Sequence, residues 1–145
     1  MIVLGIDPGT ATTGYGIINF QFPISNFQKK SNHPHLNPPS RRRKGGRELK
    51  LVSFGCIKTS SKQPLANRLK IIYNELSKII KKYKPQLIAV EEVFFAKNTK
   101  TAIKVGHSRG VCLLVAANNK IPVYELTPLQ IKQGLTGYGL SLIHI

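Results

Sequence analysis

The spacing of apolar residues changes character once along this chain, near residue 60. Upstream, apolar residues fall in short strand-length runs at 2–7, 14–20 and 51–57, with turn residues such as Pro8-Gly9-Thr10 between the first two. Downstream, helical and strand-like stretches alternate. Leu65, Leu69, Ile72, Leu76, Ile79, Ile80 and Tyr83 recur at three- and four-residue steps, which predicts an amphipathic helix. Lys70, Lys78, Lys81, Lys82 and Lys84 occupy its other side. Ser60 or Ser61 is the expected cap, Pro64 falls in the first turn, and Pro85 ends the helix. A strand at 86–92, a helix at 98–118 capped by Asn98 or Thr99, a strand at 121–125 and a short helix at 128–133 capped by Thr127 follow. The order β-β-β-α-β-α-β-α predicts an α/β fold built on a mixed sheet with helices packed against it. The second helix is apolar all round at 111–117, so it is expected to be buried by the sheet and by a partner subunit. Gly106 and Gly110, one turn apart, would let another backbone come close.

Charge narrows the function. The 145 residues hold 22 Lys and Arg against 6 Asp and Glu, a formal net charge of +16. Such a surface seeks a polyanion, nucleic acid before membrane. At 41% hydrophobic and 19% charged the chain is globular, not disordered. No apolar run reaches the roughly 18 residues needed to cross a bilayer, and the N-terminus lacks the basic start of a signal peptide. Cys56 and Cys112 are too few for a disulfide framework or a zinc site and are expected to be buried, reduced thiols of a cytoplasmic protein.

Eight of the basic residues lie in 21–50 against the single acid Glu48, a net of +7, and the rest of the chain still carries +9. That stretch also holds Pro23, Pro34, Pro38, Pro39, Gly45 and Gly46 and shows no periodicity from about 28 to 47. It reads as a flexible basic insertion in a hairpin connection, a solvated loop or an accessory DNA-binding arm.

Where acids are so scarce, those kept at the ends of apolar strands matter. Asp7, the sole aspartate, ends the run 2–6, and Glu91 and Glu92 end the run 87–90. Carboxylates from neighbouring strands can hold a hard cation such as Mg²⁺ together with water and substrate phosphate, so a nuclease site is one reading and a structural role the other. The hydroxyls of Thr10, Thr12 and Thr13 and the loop amides are expected beside Asp7, able to hold phosphate. Glu125 ends a third run and is expected to pair with a nearby base.

Five blocks in order carry a resemblance: GIDPGTATTGYGII at 5–18, FGCIKT at 54–59, NRLKIIYNELSKII at 67–80, AVEEVFFAKNTKTAIKVGHSRGV at 89–111 and LTPLQIKQGLTGYG at 126–139. Together they resemble the RuvC family of bacterial Holliday-junction resolvases, in the RNase H-like superfamily. The resemblance implies an RNase H-like mixed five-stranded sheet with helices on both faces. It also implies a Mg²⁺-dependent endonuclease, with Mn²⁺ able to substitute, making paired nicks in four-way DNA junctions during recombination and repair. Asp7 matches the first catalytic, metal-binding aspartate and Glu91 the catalytic glutamate; Glu92 is not catalytic and should face the other way. Phe94 matches an aromatic residue that engages bases at the junction centre, with a core aromatic as the plainer reading. Lys132 matches a basic residue near the DNA backbone. Lys97, Lys104 and Arg109 are phosphate-contact candidates, and Arg109 is equally a candidate for an internal ion pair. A homodimer and a branch-migration helicase complex of the RuvAB type are implied as partners.

The resemblance also implies further acids on a final helix, whereas the match stops at Gly139. The expected organisation is therefore a nuclease domain over 1–139, interrupted at about 21–50, with the last helix truncated and 140–145 an unrelated tail. On that organisation a catalytically impaired module that binds branched DNA is the alternative to a working resolvase. An RNA-processing nuclease of the same superfamily is a third, weaker reading.

Overall fold

The computed structural model describes residues 1–21, 48–92 and 99–131. They form five strands and two long helices: β1 (Ile2–Asp7), β2 (Thr12–Gln21), β3 (Glu48–Lys58), α1 (Leu65–Tyr83), β4 (Leu87–Glu91), α2 (Thr99–Asn118) and β5 (Val123–Leu126). The sheet order is β3-β2-β1-β4-β5. β1 runs antiparallel to β2 and β2 to β3, whereas β1–β4 and β4–β5 are parallel. This is the mixed sheet the sequence predicts: hairpins join the first three strands, and helical crossovers join the rest.

Alternation along each strand separates two faces. Leu4, Ile6, Ile17, Ile57, Ile88 and Val90 point to one face and are buried with Ile72, Leu76 and Ile80 of α1 and Cys112, Val115 and Ala116 of α2. Both long helices thus cover the same face. Complete burial of Ile72 and Leu76 contributes about 1.5–3 kcal/mol each. On the opposite face, Phe54 and Tyr124 are 75% and 61% exposed. Among the described residues neither long helix covers that second face.

The helix ends differ in detail from expectation. Pro64 is the N-cap of α1 and makes no side-chain cap bond. The Ser60 hydroxyl accepts instead from the Lys62 amide, inside the preceding turn. At the other end Lys84 adopts the left-handed conformation, φ 50°, and its amide donates to Ile80 O before Pro85 stops the helix. α2 closes with the paired bonds of a Schellman motif, Ile121 N to Ala116 O and Lys120 N to Ala117 O, with Lys120 in place of glycine at φ 54°. Thr127 caps as predicted: its hydroxyl accepts from Gln130 N while Gln130 Oε1 accepts from Thr127 N.

β2 and β3 are longer than the sequence runs suggest, so Gln21 and Glu48 pair as the last rung before the basic segment. A bulge lies between Ile17 and Ile18, where Ser53 and Leu51 of β3 oppose consecutive residues and Val52 is extra. The extra residue shifts the alternation of β3. Leu49 and Leu51 below it and Phe54 above it all fall on the exposed face. Of the two thiols, Cys112 is buried as expected, but Cys56 is exposed, because its partner Gly14 lies on the uncovered face. Among the described residues no helix is long and apolar enough to cross a membrane.

Candidate active site

Asp7 and Glu91 are the last residues of β1 and β4. The two strands are parallel and in register from Val3↔Leu87 to Ile6↔Val90. One rung further, Asp7 and Glu91 stand side by side at the C-terminal edge of the sheet. Leu4, Ile6, Ile88 and Val90 turn inward, so alternation sends both carboxylates to the uncovered face. There they line one end of a cleft of about 660 Å³. Its floor is nearly bare, because Gly5 is flanked by Gly16 of β2 and Ala89 of β4, and Gly14 stands opposite Asp7. Leu126 and Ile131 form part of its edge.

Asp7 is exposed and has no ion-pair partner among the described residues. It lies over Gly14, where an added Cβ would come within 3.6 Å of Asp7 Cβ. Glu91 is half-buried. Both offer hard oxygen donors, a set that suits a hard divalent cation keeping much of its water shell. Among the described residues no group of three or more His, Cys, Asp or Glu side chains is placed to hold a metal. The donor set there is this pair.

The loop after Asp7 is pinned at consecutive carbonyls. Thr13 Oγ1 donates to Gly9 O at 2.7 Å, and Thr59 Oγ1 donates to Thr10 O. The Thr59 amide donates to Ala11 O at 3.0 Å. Gly9 is required here: a Cβ would sit 2.3 Å from the Thr12 carbonyl oxygen. The expectation that Thr10, Thr12 and Thr13 all present hydroxyls beside Asp7 is corrected. Thr13 is fully buried and its hydroxyl is committed to the backbone, Thr10 is 8% exposed, and only Thr12 is open to solvent.

Of the other residues singled out from the sequence, Lys104 is exposed on α2. Arg109, also on α2, pairs through Nη2 with Oε2 of Glu125 on β5, the internal partner foreseen for both. Glu92 follows β4, half-buried, its amide bonded to Leu126 O. Phe94, Lys97 and Lys132 lie outside the described residues. Two groups without a sequence signal back the loop after Asp7: Thr59, just past β3, which bonds it directly, and Arg68 on α1, whose Nε donates to Thr59 Oγ1 at 2.9 Å. Neither ends an apolar run, and Thr59 lies 49 positions from the carbonyl it holds, so no local pattern marks it.

Comparison with known proteins decides the family. The family model described as crossover junction endodeoxyribonuclease RuvC matches residues 41–141. The chain belongs to the RuvC family. The RuvC of Desulforamulus reducens is 47% identical over 139 residues, which are 96% of this chain and 71% of that protein. The RuvC of Pelotomaculum thermopropionicum is 43% identical over the same share of this chain and 70% of its own length. The solved RuvC of Thermus thermophilus superposes with a TM-score of 0.75 at 30% identity, covering 97% of this chain and 72% of that one. The same RuvC in complex with a Holliday-junction substrate superposes at 0.74 and 29% identity. The fold, an RNase H-like mixed five-stranded sheet, is thereby that of the RuvC neighbours.

Proposed function

We propose that this chain is a crossover junction endodeoxyribonuclease, a Holliday-junction resolvase that makes paired nicks in four-way DNA junctions during recombination and repair. One observation carries the reading: in a RuvC-family chain, the parallel register of β1 and β4 puts Asp7 beside Glu91 in the lining of one cleft. Asp7 and Glu91 are the catalytic, metal-holding pair, and Mg²⁺ is the cation, with Mn²⁺ able to substitute. When bound, such a cation offsets phosphate charge and helps activate water for hydrolysis. The protein's own contribution is placement. Two carboxylates alone would repel a phosphodiester, and a net charge of +16 draws the polyanion in despite them. The glycine floor leaves the cleft open beside the pair, and the pinned loop fixes where the Asp7 carboxylate stands.

Lys104 is a phosphate contact on this reading, joined by Lys97 and Lys132, with Phe94 engaging bases at the junction centre. Arg109 is shared between that role and its ion pair with Glu125. The protein works as a homodimer in the cytoplasm, one subunit for each of two symmetric strands, alongside a branch-migration helicase of the RuvAB type. The exposed side of α2 supports the dimer: Ile103 and Leu114 are 58% and 52% exposed, on the same side as Gly106 and Gly110.

Junction cleavage with Asp7→Asn and Glu91→Gln tests the reading. Each loses at least about 100-fold in cleavage rate, as expected when several kcal/mol of charge stabilisation is removed. Each still binds a four-way junction within a few-fold of wild type. An Asp7→Asn protein that cuts at the wild-type rate refutes the assignment.

A further inference from the structure

The loop that follows Asp7 does not hold its own shape. The carbonyls of Gly9, Thr10 and Ala11 all accept hydrogen bonds from outside it, one from Thr13 and two from Thr59. Thr59 is thus the main anchor, and its hydroxyl is bonded twice. A guanidinium can only donate, so when Arg68 Nε donates to Thr59 Oγ1 the single hydroxyl proton is left to point at Thr10 O. Arg68 therefore sets the direction of the bond that holds the loop. Its charge also polarises the hydroxyl and strengthens that bond. The arrangement is unusual for an arginine. Arg68 is half-buried, has no carboxylate partner among the described residues, and commits its Nε to a neutral hydroxyl.

We propose that Arg68, acting through Thr59, is a positioning residue for the Asp7 carboxylate. The inference rests on the reading of Asp7 and Glu91 as the cation-holding pair. Asp7 is the last residue of β1, so its peptide continues directly into the pinned loop. β1 fixes the residue from one side, and the Arg68–Thr59–Thr10 chain fixes it from the other. Carboxylate ligands need placement to within about 0.5 Å, and groups hydrogen-bonded behind a ligand commonly change metal affinity about 10- to 100-fold when removed. Arg68 acts one link further back, so the lower end of that range applies. The chain also couples three elements, because β3 delivers Thr59 and α1 delivers Arg68 to the loop between β1 and β2.

The test uses the full chain with Arg68→Met, Thr59→Val, Thr59→Ser and the Arg68→Met/Thr59→Val double variant. Mn²⁺ binding is measured by titration without DNA, and amide hydrogen exchange at Thr59 is followed without metal. Expected results are an about tenfold weaker Mn²⁺ affinity in Arg68→Met and in Thr59→Val. The double variant is no worse than either, and Thr59→Ser stays near wild type. Thr59 amide exchange quickens in the first two, since that amide holds Ala11 O. In cleavage assays kcat falls while KM for the junction does not rise. Three results with Arg68→Met overturn the proposal. Folded Arg68→Met can bind Mn²⁺ as wild type does. It can show a lower melting temperature and nothing else, which marks a brace. It can alone weaken junction binding with a shallower salt dependence while Thr59→Val does not, which marks a phosphate contact. Wild-type protein that binds no divalent cation overturns this inference and the carboxylate reading together, whereas wild-type binding with unchanged variants overturns this inference only.

Discussion

Replacing Glu125 by Gln keeps the side chain's size and removes its charge. In the folded protein that charge faces Arg109, and the pair ties α2 to β5. The side chains are 31% and 39% exposed, so the pair is neither a surface bridge nor a fully buried one. Arg109 Nε is buried and has no hydrogen-bond partner, so the guanidinium has already given up some hydration. Exposed pairs contribute about 0–1 kcal/mol. Removing one partner of a buried pair costs about 3–5 kcal/mol. A pair two-thirds covered falls between, and Glu125→Gln should destabilise by about 1–2 kcal/mol, or about 2–6 °C in melting temperature for a chain of this size. The assay is urea unfolding of wild type, Glu125→Gln, Arg109→Met and the double variant at neutral pH. The coupling energy from that cycle should be about 1–2 kcal/mol. A coupling below about 0.3 kcal/mol, within the scatter expected of independent sites, refutes the reasoning. Arg109→Met with unchanged stability and weakened junction binding would instead assign Arg109 to phosphate contact.

Four further outcomes follow from the same packing. Gly9→Ala places a Cβ 2.3 Å from the Thr12 carbonyl, and rigid backbone must move, so the variant should lose about 1–3 kcal/mol and most junction cleavage; cleavage at the wild-type rate would contradict the pinned-loop account. Leu76→Ala, at a fully buried position shared by α1 and the sheet, should cost about 2–5 kcal/mol in urea unfolding. Burial pushes the Cys112 thiol from 9.0 up to about 12, whereas Cys56 is exposed. Near pH 8 a maleimide should therefore label Cys56 alone, with Cys112 labelled only after unfolding. Because the folded protein holds the Cys112 proton more tightly than the unfolded chain, this group leaves stability unchanged below about pH 9 and lowers it as pH rises toward 12. A flat stability profile across that window would contradict the assignment.

Much of the fold was legible because strand and helix periods are local signals. The stripe from Leu65 to Tyr83 predicted α1, and Ile72, Leu76 and Ile80 on it are buried. Asp7 and Glu91 were legible as a pair because each ends an apolar strand, and parallel neighbours bring such ends together. What escaped the sequence depends on contacts across the sheet. The extra Val52 is invisible until β2 is laid beside β3, and it alone explains why Leu51 and Phe54, at odd and even positions, share a face. A free cysteine packs as a small hydrophobe and reads as buried, but alternation along β3 sends Ile57 into the core and Cys56 to the uncovered side. Ser60 looks like a helix cap by type and position, yet the local turn takes its hydroxyl. Thr59 and Arg68 carry no local mark at all, since their role exists only once β3 and α1 meet the loop after β1.

The hairpin joining β2 to β3 opens at the end of the sheet opposite the carboxylates. Asp7 faces Gly14, and β2 then runs seven residues to Gln21, which pairs with Glu48. That separates the root of the basic segment from the Asp7 rung by about 23 Å. Because the two anchors adjoin each other, the length of chain between them is thermodynamically almost free: each doubling costs only about 0.6 kcal/mol. The architecture thus offers a port where sequence can be gained, lost or exchanged without disturbing the site. Grafting a short turn, a fluorophore-bearing peptide or a foreign DNA-binding module between Gln21 and Glu48 should leave the carboxylate pair in place while changing what the far end of the molecule touches.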